Sequence, residues 1–205
     1  MDKVKTIYRV IILGNSKTGK TSFLQNINGI PFSEEQVSTI GIDTFMIEKK
    51  DKNNNQIYLK LHDTSGQEAY RSLAINLLKN NNAIIFFYDI TNENSFGDIK
   101  NRWFPELENN IKPDNILIFL IGNKTDLDSE RCVSYEEGEN FAKSNNMEFF
   151  EISAKTSKNV QEVVYSLTNN LVQKFGYKTI TTEKKGESII NLTKKEKKKK
   201  KNCMI

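Results

Sequence analysis

Short apolar runs alternate along this chain with stretches in which apolar residues recur every three or four positions. The runs at residues 7–13, 83–90, 115–122 and 147–153 are almost uninterrupted and rich in β-branched and aromatic side chains. Such runs are typical of strands that are buried on both faces of a parallel sheet. The helical stretch at residues 159–175 carries apolar side chains on one face, namely Val160, Val163, Val164, Leu167 and Leu171. Alternating strands and helices predict an α/β fold with helices on both faces of the sheet.

One region departs from this alternation and predicts an antiparallel hairpin. Residues 42–50 and 57–62 have strand character, and they flank the polar, turn-prone segment 51–56. Together the runs predict a mostly parallel six-stranded sheet with the hairpin at its edge. Periodicity is lost near residue 176, so we expect one domain at residues 1–175 and a flexible basic tail at residues 176–205.

The positive charge of the chain is concentrated in that tail. Residues 194–201 contain seven lysines and one glutamate, a net charge of +6 that exceeds the +4 of the whole chain. The remainder is mildly acidic, which argues against a nucleic-acid-binding protein. It favours a tail that targets the protein to a surface in the cell. Two cysteines, no secretion signal at the start and no apolar run long enough to span a bilayer favour a cytosolic protein. We expect a monomer without nucleic-acid partners.

The turn after the first apolar run has the sequence GNSKTGKT, residues 14–21. It fits the pattern G-x-x-x-x-G-K-[ST], in which backbone N–H groups at a helix N-terminus surround phosphate oxygens. In this pattern Lys20 reaches the terminal phosphates and the Thr21 hydroxyl coordinates Mg²⁺. The motif predicts the fold of a P-loop NTPase, and at this point both ATP and GTP remain open.

Three further motifs follow strands of the same predicted sheet and favour GTP. DTSGQE, residues 63–68, supplies an aspartate for the metal, a glycine N–H for a γ-phosphate and an amide that can orient water. NKTD ends with Asp126, which can accept hydrogen bonds from guanine N1 and the 2-amino group, a donor pair that adenine lacks. In SAK, residues 153–155, the Ala154 N–H can meet guanine O6. Because α/β folds bind ligands at the carboxyl ends of their strands, the four motifs predict one guanine-nucleotide site.

Through these motifs the chain resembles a Ras-superfamily small GTPase, and STIGID (38–43) with YDITNENSF (88–96) resembles the Rab branch. The resemblance implies a Mg²⁺-dependent GTP/GDP switch that recruits effectors in vesicle and membrane trafficking. It implies metal ligands at Thr21, Thr39 and Asp63, and catalytic roles for Gln67, Lys20 and Gly66, with Gln67 orienting the attacking water. The implied phosphate contacts are Asn15, Ser16, Lys17, Thr18, Gly19, Lys20, Thr21, Ser22, Thr39 and Gly66. The implied guanine contacts are Phe32, Asn123, Lys124, Asp126, Ser153, Ala154 and Lys155.

The resemblance also implies protein partners and a membrane location. The sequence shows no arginine finger, so hydrolysis is expected to be slow until a GTPase-activating protein supplies the positive charge. An exchange factor and effectors are the other expected partners, and the expected location is cytoplasmic, peripheral on the cytosolic face of endomembranes. The lysine block before Cys203 resembles a polybasic and lipid anchor. Cys203 is third from the end, one residue too late for C-a-a-X, so prenylation and a bare solvated tail both stay open.

Rab proteins usually carry an effector-facing aromatic patch, and this chain departs from that pattern. The corresponding positions are Thr44, His62 and Leu77–Leu78. The hairpin is one residue longer than usual. Phe45 would take the place of Thr44 in the patch if the extra residue lay at position 44 and not in the turn.

Other departures fall near the phosphates. Lys17, Gln36 and Ser65 replace the residues that are typical of the family. They remove no predicted ligand, but they leave a nucleotide-binding scaffold with negligible turnover as an alternative to a hydrolysing switch. A Rho-like small GTPase is a second alternative, against which NKTD and STIGID argue.

Overall fold

The structure is a computed structural model that describes residues 6–33, 39–66, 77–111 and 115–177. Its strands are β1 (Thr6–Leu13), β2 (Ile42–Lys50), β3 (Gln56–Thr64), β4 (Ala83–Asp89), β5 (Leu117–Asn123) and β6 (Glu148–Glu151). Its α-helices are α1 (Lys20–Ile27), α2 (Glu93–Asp98), α3 (Phe104–Asn110), α4 (Tyr135–Ser144) and α5 (Val160–Phe175). A π-helical turn, Ile99–Trp103, joins α2 to α3, and a 3₁₀ segment, Thr125–Glu130, follows β5.

The strands form one sheet in the order β2-β3-β1-β4-β5-β6. Among the strands of the described residues, only the β2–β3 pair is antiparallel; β3–β1, β1–β4, β4–β5 and β5–β6 are parallel. Every residue of β4 is buried, as expected for a central strand covered on both faces. The predicted fold class, a mostly parallel six-stranded sheet with one antiparallel edge hairpin, is confirmed.

Helices pack on both faces of the sheet and form two apolar clusters. On one face α1 and α5 contribute Phe23, Leu24, Val163 and Leu167, which pack against alternate residues of the strands. On the other face the α2–α3 segment contributes Phe96 and Trp103, with further residues from α4. Burial of this apolar surface on both sides is the main term that holds the sheet in place.

The π-helical turn interrupts the helical segment that runs from Glu93 to Asn110. The Phe104 N–H donates to the Ile99 carbonyl, five residues back, where an α-helix would use a carbonyl four residues back. Pro105 gives a local reason, because it has no N–H to donate and its ring crowds the preceding turn. The turn therefore changes which side chains of this segment face the first strand and its following loop.

The hairpin pairs without a bulge. Its register runs evenly from Ile42 opposite Thr64 to Lys50 opposite Gln56, so the extra residue lies in the turn at residues 51–55. Thr44 consequently stands opposite His62, and the Thr44 Oγ1 lies 3.1 Å from the His62 Nδ1. Phe45 points to the opposite face and packs against the core, so it does not take the place of Thr44.

The hairpin turn also fastens the end of α5. The Asp51 carboxylate accepts a hydrogen bond from the Tyr177 hydroxyl, and the buried Tyr8 hydroxyl donates to the Gly176 carbonyl over 2.5 Å. These contacts fasten the C-terminal end of α5 to the hairpin turn and to β1. In the part of the chain that the structure describes, no helix is both long enough and apolar enough to cross a membrane.

Candidate functional site

The loop after β1 leads directly into the N-terminus of α1. Gly19, the residue before the helix, has a φ of 92°, a left-handed conformation that favours glycine. A Cβ atom at Gly19 would lie 2.1 Å from the Asn123 side-chain nitrogen, so a larger residue does not fit there. No side chain among the described residues caps this helix end, so its first N–H groups can bind an anion.

Lys20 is held inside the loop by backbone carbonyls. Its side chain is almost fully buried, and Nζ donates to the carbonyls of Gly14 (2.8 Å) and Asn15 (2.7 Å). Burial lowers the pKa of the Lys20 ammonium to about 8, and the nearby Asp63 carboxylate opposes part of this shift. A partly desolvated cation in this position favours binding of an anionic group.

Three side-chain oxygens meet beside Lys20. The Thr21 hydroxyl donates to Asp63 Oδ2 over 2.7 Å and lies 2.8 Å from the Thr39 hydroxyl, which itself lies 3.4 Å from Asp63 Oδ2. Asp63 is fully buried, and its Oδ1 has no hydrogen-bond partner among the described residues. Burial raises the pKa of Asp63, while hydrogen bonds from Thr21 and the charge of Lys20 oppose the rise. Two hydroxyls and one carboxylate suit a hard cation such as Mg²⁺.

Gly66 follows β3 and contacts the loop at residues 14–21, which we call the phosphate loop after its predicted ligand. A Cβ atom on Gly66 would lie 2.1 Å from the Ser16 nitrogen and 2.3 Å from the Asn15 carbonyl carbon. The backbones of the two loops are therefore in contact at the Asn15–Ser16 peptide, and only glycine permits this approach. Gln67, the next residue, lies outside the described residues.

Asn123, at the end of β5, connects three loops. Its Nδ2 donates to the Thr18 carbonyl over 2.9 Å, and its Oδ1 accepts from the Ala154 N–H over 3.0 Å. Asn123 thus braces the NKTD and SAK loops against the phosphate loop. The sequence assigns the Ala154 N–H to guanine O6. In this structure the same N–H donates to Asn123 Oδ1.

The NKTD loop is ordered by two further contacts. Ser153, fully buried, donates from its hydroxyl to Asp126 Oδ1 over 2.5 Å, while Asp126 itself is exposed to the cavity. The Lys124 ammonium lies 2.5 Å from the Asp89 carboxylate at the end of β4. Asp89 was not among the predicted site residues, because nothing in its local sequence shows that it faces Lys124.

Phe32 and Lys155 form the remaining wall. The Lys155 ammonium lies 5.7 Å from the centre of the Phe32 ring, a distance typical of a cation–π contact. Phe32 remains 38% exposed, so part of its side chain is accessible to a ligand.

These groups surround one cavity of about 400 Å³ at the carboxyl ends of the strands. Its lining includes predicted residues from every motif, namely Ser16, Lys17, Gly19, Lys20, Thr21, Ser22, Phe32, Thr39, Gly66, Asn123, Lys124, Asp126, Ala154 and Lys155. It also includes Ser33, Thr64 and Leu127, which the sequence did not single out. Asn15, Thr18, Asp63 and Ser153 are not part of the lining and act on it through hydrogen bonds.

The predicted effector positions fall into two groups. Thr44 and His62 lie side by side on the outer face of the hairpin. Burial and the nearby positive charges of Lys60 and Arg9 lower the pKa of His62. Leu78, by contrast, is 2% exposed and packs in the core, so it cannot replace a surface tyrosine. Gln36, Cys203 and the lysine block lie outside the described residues.

Comparison with known proteins shows the family of the chain. The model of the Ras family matches residues 9–173. The chain is 36% identical over 174 residues to "Ras-related protein Rab-1" of Theileria parva, which covers 85% of this chain and 78% of the relative. It is 38% identical over 168 residues to human "Ras-related protein Rab-3A", covering 82% of this chain and 75% of the relative. The Caenorhabditis elegans "Ras-related protein Rab-3" is 37% identical over the same length.

The chain therefore belongs to the Ras family and is a Rab-like small GTPase that binds guanine nucleotide and hydrolyses GTP. This confirms the resemblance to the Rab branch and does not favour the scaffold or Rho-like alternatives.

Proposed function

We propose that the cavity holds GTP with its phosphates along the loop at residues 14–21 and its guanine against the Phe32 ring and the Lys124 side chain. The observation that carries this proposal is that one cavity joins an anion-binding end, at Lys20, to a base-recognising end, at Asp126. Both ends are at the carboxyl edge of the sheet, where their relative distance is fixed by β1 and β5.

At the anion-binding end, Lys20 and the first N–H groups of α1 hold the terminal phosphates. The lysine is already positioned by the Gly14 and Asn15 carbonyls, so little rearrangement is required as charge develops on the phosphates during hydrolysis. We assign the Gly66 N–H to the γ-phosphate, because the Gly66 backbone contacts the loop at Ser16.

Thr21 and Thr39 would hold Mg²⁺, with Asp63 acting on it directly or through water. The metal would neutralise charge on the β- and γ-phosphates. The unpartnered Asp63 Oδ1 and the single carboxylate of the group fit this role, since Mg²⁺ in phosphate-binding sites usually has one or two carboxylates and several waters.

At the base-recognising end, Asp126 would accept from guanine N1 and the 2-amino group. Ser153 fixes one oxygen of this carboxylate, so its plane is set before the base arrives. The Ala154 N–H would bind guanine O6 either by sharing its hydrogen atom between O6 and Asn123 Oδ1 or by breaking its hydrogen bond to Asn123.

Hydrolysis resets the protein from its active to its inactive form. We assign Gln67 to orientation of the attacking water and assign the sensing of the γ-phosphate to Thr39 and Gly66, whose loops are released when it departs. No arginine lines the described part of the cavity, so a GTPase-activating protein is proposed to supply the missing charge.

Replacing Gln67 with leucine is expected to slow single-turnover GTP hydrolysis at least about tenfold, roughly 1.4 kcal/mol of transition-state stabilisation. The dissociation constant for GTP should change little, because the amide acts on water and not on the nucleotide. The matched control is Gln161→Leu on the exposed face of α5, which should hydrolyse GTP at the unmodified rate. An unaltered rate for Gln67→Leu would remove Gln67 from the mechanism.

The switch is proposed to act in membrane trafficking as a monomer, through an exchange factor and effectors. Its effector face differs from the aromatic Rab pattern, because Thr44 and His62 present a polar pair on the hairpin. The partners of this protein are therefore expected to contact that face by hydrogen bonds more than by aromatic packing.

The basic tail is proposed to hold the protein on the cytosolic face of a membrane. Attraction of lysines to anionic lipid is reversible and screened by salt, with a screening length of about 8 Å at physiological ionic strength. A lipid on Cys203 would add apolar burial that salt does not screen.

Cys203→Ser is accordingly expected to release the protein to the cytosol in cell fractionation, and intact-mass measurement should show the loss of the lipid. Cys132→Ser is the matched control, since Cys132 is exposed on the domain and should not affect membrane binding. An unmodified Cys203 together with an unchanged membrane fraction would exclude prenylation at this position.

A further inference from the structure

Asn15 directly follows Gly14 in the phosphate loop. The α2–α3 segment binds its side-chain amide. Its Nδ2 donates to Asp98 Oδ2 over 2.5 Å, and its Oδ1 accepts from the Trp103 indole N–H over 3.3 Å. Arg102 holds the other oxygen of the same carboxylate, with 3.1 Å between Nε and Oδ1. Both ends of the Asn15 amide are thus engaged by one helical segment that contributes nothing to the cavity lining.

The π-helical turn makes this double contact possible. Asp98 and Trp103 are five residues apart, and in an α-helix such positions differ by about 140° around the axis. A π-helical turn, with its hydrogen bond from residue i+5 to residue i, brings them close to one face. Single π-helical turns within helices are frequent at functional sites.

The backbone of Asn15 acts on the opposite side of the loop. Its carbonyl accepts from Lys20 Nζ and from the Thr18 hydroxyl, over 2.7 Å and 2.9 Å. The Asn15–Ser16 peptide is also the point at which Gly66 touches the loop. The same residue is therefore fixed through its side chain and positions Lys20 and Gly66 through its main chain.

We propose that Asn15, Asp98 and Trp103 form a positioning link through which the π-helical turn sets the rate of GTP hydrolysis. None of the three side chains needs to touch the reacting atoms; they hold the Asn15–Ser16 peptide, and this peptide holds Lys20 and Gly66. The inference rests on the proposed roles of Lys20 and Gly66 in the site. It gives Asp98 and Trp103 a role in hydrolysis, although neither residue lines the cavity.

The decisive test is an exchange of hydrogen-bonding roles. Asn15→Asp alone places a carboxylate against Asp98 and should slow single-turnover GTP hydrolysis at least about tenfold, with a much smaller change in the GTP dissociation constant. The double variant Asn15→Asp with Asp98→Asn restores one carboxylate–amide pair in the reverse sense, and its rate should return to within about threefold of the unmodified protein. Glu139→Gln, which removes an exposed ion pair with Lys143 on α4, is the control and should have no effect.

An unchanged rate for Asn15→Asp, or a double variant as slow as the single one, would overturn the link. If Asn15→Asp does not retain nucleotide, Trp103→Phe decides, since it removes the indole N–H and keeps an aromatic ring; an unchanged rate in this variant overturns the proposal. The proposed site fails separately. It fails if Gln67→Leu hydrolyses GTP at the unmodified rate, or if the unmodified protein shows no preference for guanine nucleotide.

Discussion

Asp126→Asn is expected to weaken GTP binding at least about a hundredfold, because two hydrogen bonds to a charged acceptor are lost. Xanthosine triphosphate should bind in its place, since its 2-oxo group can accept from the new amide. Ser153, which fixes one oxygen at position 126, should orient the amide in the same plane.

The measurement is competition binding with GTP, xanthosine triphosphate and ATP. Asp128→Asn is a matched control: Asp128 lies on the same 3₁₀ segment, pairs with Arg131 and is not part of the cavity lining. A variant that keeps the unmodified preference for GTP would show that Asp126 does not read the base.

Lys20→Ala is expected to reduce affinity for GTP at least about a hundredfold, because a charge-assisted contact to the phosphates is lost. In the nucleotide-free protein burial holds the pKa of Lys20 to about 8, and a bound triphosphate should raise it again. Well below pH 8 the lysine is charged in both states, and binding takes up almost no proton at this group.

Above pH 8 the complex binds more protons at Lys20 than the free protein, so affinity falls as the pH rises, by up to about tenfold per pH unit. Titration calorimetry at pH 7 to 9.5 measures this slope. The slope should disappear in Lys20→Ala, which controls for other titrating groups. Equal slopes in the two proteins would contradict the role of Lys20.

The central strands were predictable because both of their faces are buried, which leaves uninterrupted apolar runs in the sequence. The loops that follow β1, β3 and β5 were predictable for a different reason, since phosphate and base recognition require particular residue types at fixed spacing. The fold then brings these loops to one edge of the sheet, and the cavity follows.

Long-range partners were not predictable from local pattern. Nothing near Asn15 in sequence shows that Asp98 and Trp103, more than eighty residues away, fix its side chain. The hairpin register was also not predictable. Strand propensity at Thr44 and Phe45 does not show where an extra residue lies, because the register is determined by cross-strand pairing. The sequence places Leu78 at a position of the family's aromatic patch, and only the structure shows that it packs in the core.

The central claim is that this protein binds guanine nucleotide and uses its hydrolysis as a switch. The most direct measurement is chromatographic identification of the nucleotide released from purified protein, followed by single-turnover hydrolysis of bound GTP. We expect guanine nucleotide at one per chain and slow, Mg²⁺-dependent conversion of GTP to GDP that stops with EDTA. Displacement of bound GDP by an equal concentration of ATP, or bound GTP that remains intact, would contradict the account.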